Sequence, residues 1–280
     1  MYNYNLLDET KKILRENSIW LRKRLGQSFI IDSKYISKQL QAGELDKEDI
    51  VLEIGAGIGN LTIKISPLVK KIYAIEVDES LAEILRKRSA EYDNIEILEC
   101  DALKCEFPYF NKIVANIPYN IASPLTFKIL SSKFKIGVLM YQLEFAKRLV
   151  AKPGSGNYCR LSVNAALRTD IQIVEIVPRT AFYPRPKVDS AIVKLMPKKE
   201  IKIKSNLETF TKIVNEIFLY KNKKLHSAIK HYMDRLNIIK DIQKKVLYEA
   251  PYSDLRVREL DVNMIDEIVA YLSNKMRDLL

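Results

Sequence analysis

The chain has 280 residues, with 46 Lys and Arg against 35 Asp and Glu and a net charge of +11. That length suits one large domain or two unequal ones, and the cationic excess points to an anionic partner, nucleic acid or a membrane surface. No apolar run reaches the roughly eighteen residues of a membrane span, and the polar start Met1-Tyr2-Asn3-Tyr4-Asn5 is unlike a signal peptide. The expectation is therefore a soluble, cytoplasmic protein. Its three cysteines, Cys100, Cys105 and Cys159, lack the paired spacing of a zinc site and read as reduced bystanders, so no metal is expected.

Residues 11–24 carry Lys11, Lys12, Arg15, Arg22, Lys23 and Arg24 against the single acid Glu16. This reads as a basic amino-terminal arm or helix, a solvated face or an RNA contact. Leu25-Gly26-Gln27-Ser28-Phe29-Ile30-Ile31-Asp32 is too short and polar-spotted for a core strand and leads into a helix near 34–42. A regular alternation then begins. Strands are predicted at 50–54, 71–77, 94–99, 112–116 and 137–141, separated by glycines and helical patterns. Such alternation makes a parallel sheet covered on both faces. Lys152-Pro153-Gly154-Ser155-Gly156-Asn157 is the plainest flexible loop. A helix at 159–167 and two strand-like runs, 171–177 and 190–196, follow it, most simply as a hairpin closing the sheet. Past Pro197 the β-α repeat stops and helical periodicity takes over. Between Lys221 and Lys245 eight basic residues stand against Asp234 and Asp241. The predicted organisation is an α/β domain over 1–197 and a small, basic, all-helical domain over 198–280.

Glu53-Ile54-Gly55-Ala56-Gly57-Ile58-Gly59 lies between a predicted strand and helix, where glycines let backbone turn tightly and approach a ligand. Glu76, twenty-one residues after Gly55, ends the second strand, where a carboxylate can accept from both ribose hydroxyls. A glycine loop and that acid suit NAD or S-adenosylmethionine. Two details favour the second: the spacing is G-x-G-x-G, and Glu53 would repel a pyrophosphate while suiting a methionine amino group. Asp101, after the third strand, could accept from an adenine 6-amino group.

Asn116-Ile117-Pro118-Tyr119 closes the apolar run Ile113-Val114-Ala115. Pro118 biases Ile117 away from helix, so the backbone leaves the strand extended. An amide oxygen, a carbonyl and an aromatic ring then stand at the edge where open α/β sheets bind ligands. Acceptors aimed at an adenine amino group would favour a pyramidal nitrogen and stabilise the charge it gains on methylation. A flipped base needs a second aromatic wall, and Phe182 in Phe182-Tyr183-Pro184-Arg185-Pro186-Lys187 is the candidate, with Arg185 and Lys187 placed to meet phosphates.

Taken in order, the motifs Gly26-Gln27-Ser28-Phe29-Ile30, Glu53 to Gly59 with Asn60-Leu61-Thr62, Glu76-Val77-Asp78, Asp101-Ala102, Asn116-Ile117-Pro118-Tyr119 and Phe182 to Ser190 resemble those of the KsgA-type ribosomal RNA adenine dimethyltransferases. The resemblance implies a Rossmann-like methyltransferase sheet with a small helical second domain. It also implies dimethylation, from S-adenosylmethionine, of N6 of two adjacent adenosines in the 3′-terminal hairpin loop of small-subunit ribosomal RNA during subunit assembly, by a monomer. Carried over by motif, Gln27, Ser28 and Ile30 lid the cofactor, and Glu53, Gly55 and Gly57 approach its methionine part. Glu76, with Val77, holds the ribose; Asp101 and Ala102 meet the adenine. Asn116, Ile117, Pro118 and Tyr119 face the target amine and ring, and Phe182 completes the stack. Ser28 departs from the asparagine usual in bacterial relatives. RNA contacts are expected from Arg22, Lys23, Arg24, Arg185, Lys187, Lys221, Lys223 and Lys224. Enzymes methylating large-subunit RNA, mitochondrial transcription factors of the same fold and NAD-dependent oxidoreductases are the alternatives. Length and the Phe182–Ser190 run disfavour the first, the absence of a transit-like start the second, and glycine spacing the third.

Overall fold

The computed structural model describes residues 6–19 and 28–277. Gln27, Arg22, Lys23 and Arg24 lie outside them. Helix α1 (Leu6–Glu16) has Asp8 and Glu9 in its first turn and Arg15 in its last, complementing the helix dipole, and buries Thr10 and Leu14. A two-residue strand β1 (Phe29–Ile30) and helix α2 (Ser33–Gly43) follow, the helix capped by the Asp32 carboxylate on the Lys34 amide. The alternating region gives β2 (Ile50–Ile54), α3 (Thr62–Ile65), β3 (Lys71–Glu76), α4 (Glu79–Arg88), β4 (Ile95–Glu99), β5 (Lys112–Asn116), α5 (Ala122–Leu130), β6 (Ile136–Gln142) and α6 (Leu143–Leu149). Then come α7 (Arg160–Arg168), β7 (Thr169–Val177), β8 (Phe182–Tyr183) and β9 (Ser190–Pro197).

The main sheet of the described residues runs β4-β3-β2-β5-β6-β9-β7. Pairing is parallel from β4 through β6, and β9 runs antiparallel to β6. Val51, Leu52, Ile54, Ile113, Val114, Ala115, Val138 and Leu139 are all buried, as continuous apolar strands covered on both faces require. The chain winds outward from β2 to β4, then returns to place β5 on the other flank of β2. That reversal is a topological switch point, and it opens a crevice beyond the carboxyl ends of β2 and β5. Ile54 and Asn116 are the last residues of those two strands.

The expected hairpin is more elaborate than its sequence suggests. β9 lies between β6 and β7, and the residues connecting β7 to β9 form a separate antiparallel ribbon with β1. Phe29 faces Tyr183 and Ile30 faces Phe182 in that ribbon.

The remaining helices are α8 (Leu207–Ile217), α9 (Leu225–Arg235), α10 (Lys240–Glu249) and α11 (Val262–Arg277). The chain divides into two compact units: Met1–Ala146 with Asp170–Pro197, and Lys147–Thr169 with Lys198–Leu280. Sequence reading drew a single boundary after residue 197 and so assigned 147–169 to the sheet domain. Those residues instead group with the helices because Tyr158, Val163 and Leu167 share a core with Phe210, Phe218 and Val257. The Tyr158 ring meets Phe218 edge-on at 5.8 Å, and its hydroxyl donates to the Leu260 carbonyl. An amphipathic α7 looks the same whichever core it covers, so its pattern alone could not assign it.

Candidate active site

β2 ends in a loop whose glycines take left-handed conformations, Gly55 at φ 74° and Gly57 at φ 58°. Space enforces glycine as well as torsion. A Cβ on Gly55 would stand 2.9 Å from the Pro118 ring, and one on Gly57 would stand 2.9 Å from the Phe29 ring. The Gly55 and Ala56 amides donate to the Ile75 carbonyl, tying the loop to β3.

Glu76, at the end of β3, is the hub of this loop. One carboxylate oxygen accepts from the Gly57 amide at 2.8 Å and the other from the Val77 and Asp78 amides, each at 3.0 Å. Burial pushes its pKa above the ordinary carboxylate value, with the three amides opposing that shift. Glu53 is 2% exposed, and its Oε2 has no hydrogen-bond partner. Burial drives its pKa up to about 8; the Thr62 hydroxyl pulls it down and the Glu76 charge pushes it further up. At neutral pH the free protein holds Glu53 largely protonated.

Past the end of β4, Asp101 accepts from the Leu103 amide at 2.9 Å, and Ala102 is buried beside it. The neighbouring Cys100 thiol is pushed up to about 12 by burial and by Cys105, so it stays protonated. On β5, the Asn116 Oδ1 is buried without a partner. The Ile117 amide donates to Met140 across the sheet, and the Pro118 carbonyl accepts from Ile121 in a short 3₁₀ turn. That turn carries Tyr119, whose hydroxyl lies 2.7 Å from Ser190 Oγ and is raised in pKa by burial. Phe182, on β8, is buried as well.

One cavity of about 270 Å³ collects these residues. Its walls include Ser28, Ile30, Glu53, Gly55, Gly57, Glu76, Val77, Asp101 and Ala102, together with Asn116, Ile117, Pro118, Tyr119 and Phe182. The structure thus brings together every sheet-domain candidate for cofactor or target that lies within the described residues. An unpartnered carboxyl oxygen on Glu53 and an unpartnered amide oxygen on Asn116, both lining the cavity, suit a cationic amino acid moiety and an amine. These residues fit S-adenosylmethionine.

The cavity also gives parts to residues to which sequence reading assigned no role. Asn60, a lining residue, donates to Thr10 Oγ1 at 3.0 Å and to the Ile30 carbonyl at 2.9 Å. Its Oδ1 accepts from Arg88, which also binds the Ile58 carbonyl and Glu9. Asn60 stands in the Asn60-Leu61-Thr62 motif, which carried no role for it; Arg88 carries no local signal.

The basic candidates fare differently. Arg185 and Lys187 are exposed on the segment joining β8 to β9 and lie outside the cavity. In the helical unit, Lys221 Nζ donates to the Gly156 and Tyr158 carbonyls at 3.0 and 3.3 Å, a structural commitment composition could not reveal. Lys224 pairs with Asp254 at 2.9 Å, and Lys223 is exposed.

Against known proteins, the family model described as ribosomal RNA adenine dimethylase matches residues 20–268. The chain is 42% identical over 262 residues to the probable ribosomal RNA small subunit methyltransferase A of Pyrococcus abyssi, covering 93% of this chain and 95% of the relative. Its fold superposes on a dimethyladenosine transferase from Plasmodium falciparum with a TM-score of 0.77 at 35% identity, covering 88% of this chain and 97% of the other. The 23S rRNA methyltransferase ErmE matches with a TM-score of 0.65 at 26% identity, covering 88% and 99%.

Proposed function

The chain belongs to the ribosomal RNA adenine dimethylase family, and from that premise we propose that it dimethylates N6 of two adjacent adenosines in the 3′-terminal hairpin loop of small-subunit ribosomal RNA. The donor is S-adenosylmethionine, the substrate an assembling small subunit in the cytoplasm, and the acting species a monomer. One observation carries the reading: the unpartnered Asn116 Oδ1 shares a cavity with Tyr119, Phe182 and three acids, each at or beside the carboxyl end of a parallel strand.

Bound, S-adenosylmethionine would supply a methyl group already activated for in-line displacement. Glu53 would take the methionine ammonium, Glu76 the ribose hydroxyls, and Asp101 with Ala102 the adenine edge. On the target side, adenine's exocyclic nitrogen is a poor nucleophile because its lone pair is delocalised into the ring. The Asn116 amide oxygen and the Ile117 carbonyl accept its hydrogens, favouring a pyramidal nitrogen and stabilising the charge that develops there. Tyr119 and Phe182 hold the flipped ring from its two faces. No side chain has to remove a proton before attack, since the ammonium product sheds its proton to water. Much of the remaining acceleration is positioning.

The test is transfer of labelled methyl groups to small subunits from a strain lacking the modification, followed by primer extension. Arrest at the two hairpin adenosines is the expected result. Arrest elsewhere, or labelling of large-subunit RNA instead, overturns the assignment.

A further inference from the structure

Ser28 lines the cavity and immediately precedes β1. Its hydroxyl donates to the Pro184 carbonyl at 2.7 Å, bridging residues 156 apart in sequence. That bond closes one end of the β1–β8 ribbon, one position beyond the Phe29–Tyr183 pair. The Ile31 amide closes the other end by donating to the Ala181 carbonyl at 2.9 Å. Between them are only two residues per strand, a ribbon too short to persist on main-chain pairing alone.

Each strand of the ribbon has a different business. The β1 strand rests on the glycine loop, with the Phe29 ring in the space a Gly57 side chain would need and the Ile30 carbonyl held by Asn60. The β8 strand carries Phe182 into the cavity. Tyr183, next to it, packs against the cluster that buries Phe29, with Lys11 Nζ 5.5 Å from its ring centre. Loss of the Ser28 bond would open that end of the ribbon, two residues from Phe182, and loosen β8 against its partner strand.

We propose that Ser28 is a positioning residue for the target base: its hydroxyl proton is spent on Pro184 and so aims Phe182, and its main effect is on transfer to RNA and not on hold of the donor. The inference rests on the reading above that an adenine is the acceptor. It reassigns a residue that motif resemblance places on the cofactor. The hydroxyl that substitutes for an amide there reaches the opposite strand.

Wild type, Ser28→Ala, Ser28→Thr, Phe182→Ala and the Ser28→Ala/Phe182→Ala double variant would be compared. Calorimetry reads S-adenosylmethionine affinity, and single-turnover methyl transfer to unmodified small subunits reads chemistry. Ser28→Ala should keep donor affinity within about twofold and lose about tenfold in transfer, the equivalent of one hydrogen bond. Ser28→Thr, which keeps the hydroxyl, should recover most of the rate. In the Phe182→Ala background, Ser28→Ala should cost under about twofold more, because the wall it aims is gone. Thermal midpoints of all variants establish that each is folded, and Ser28→Thr carries the test should the alanine variant not be. Equal losses of donor affinity and transfer would make Ser28 a cofactor contact, and a full tenfold loss in both backgrounds would uncouple it from Phe182; either overturns the inference. A wild-type enzyme inactive on small subunits would instead overturn the functional reading beneath it.

Discussion

Glu53 Oε2 and Asn116 Oδ1 are buried polar atoms without partners, and both residues line the cavity. A buried group left unpaired costs about 1–3 kcal/mol, a burden that is understandable where a ligand supplies the missing donor. If its amide meets the acceptor amine, as proposed, Asn116→Ala should leave donor affinity within a few-fold. Methyl transfer should fall by about 10²–10³-fold, the range for deleting one preorganised polar group at a developing charge; calorimetry and single-turnover transfer read the two quantities. Glu53 makes a pH-dependent prediction. Its folded pKa of about 8 lies above the ordinary glutamate value of 4.5, so between those values the folded protein holds a proton the unfolded chain has released. Stability contributed by this group is therefore full below pH 4.5 and declines as pH rises toward 8. Pairing with an ammonium lowers the pKa again, so donor binding must expel that proton. Affinity should rise between pH 5.5 and about 7, the upper bound set by the ammonium's own titration near 7.7–8.0. Glu53→Gln should flatten this dependence and weaken binding. Calorimetry in buffers of different ionisation enthalpy would register about one proton released by wild type and none by the variant.

Elements come together here through side chains that local pattern does not mark. Arg88, the last residue of α4, reaches Glu9 on α1, the Ile58 carbonyl in the glycine loop and Asn60 beyond it. Its side chain is 16% exposed, so this ion pair has weight that a solvated one lacks. Arg88→Ala strands an acid, a carbonyl and an amide oxygen at once. It should lower unfolding free energy by about 1–3 kcal/mol and weaken donor binding through the loosened loop, measurable by denaturant titration and calorimetry. The same contrast explains what sequence reading could reach. Glu53, Glu76, Asp101 and Asn116 each stand at or beside the end of an apolar strand, so strand recognition alone delivers them to one edge. The β1–β8 ribbon depends on pairing across some 150 residues, and neither two-residue strand has a periodicity to detect. Nor does α7 announce its core: Val163 and Leu167 form an apolar stripe that would serve either unit.

At the scale of the whole molecule, the net charge of +11 sets the conditions under which RNA is held, while the structure decides which cations are free to hold it. Each phosphate a lysine or arginine neutralises releases counterions and steepens the fall of affinity with salt by about 0.7–0.9 in a log–log plot. Lys221 is engaged with the Gly156 and Tyr158 carbonyls, so its ammonium is anchored inside the helical unit. Lys223, two residues on, is exposed, and so are Arg185 and Lys187 in the sheet unit. Removing these four charges singly should therefore give two kinds of variant, although each lowers net charge by the same amount. Lys223→Ala, Arg185→Ala and Lys187→Ala should each reduce the salt slope of RNA binding by close to one contact, with thermal midpoints unchanged. Lys221→Ala should leave the slope as it is and lower the midpoint, having deprived two carbonyls of their donor. Filter binding across a salt series, beside thermal denaturation of the same preparations, separates the two patterns. A uniform drop in affinity for all four variants would mean that overall charge, and not the placement of particular cations, governs the grip on RNA.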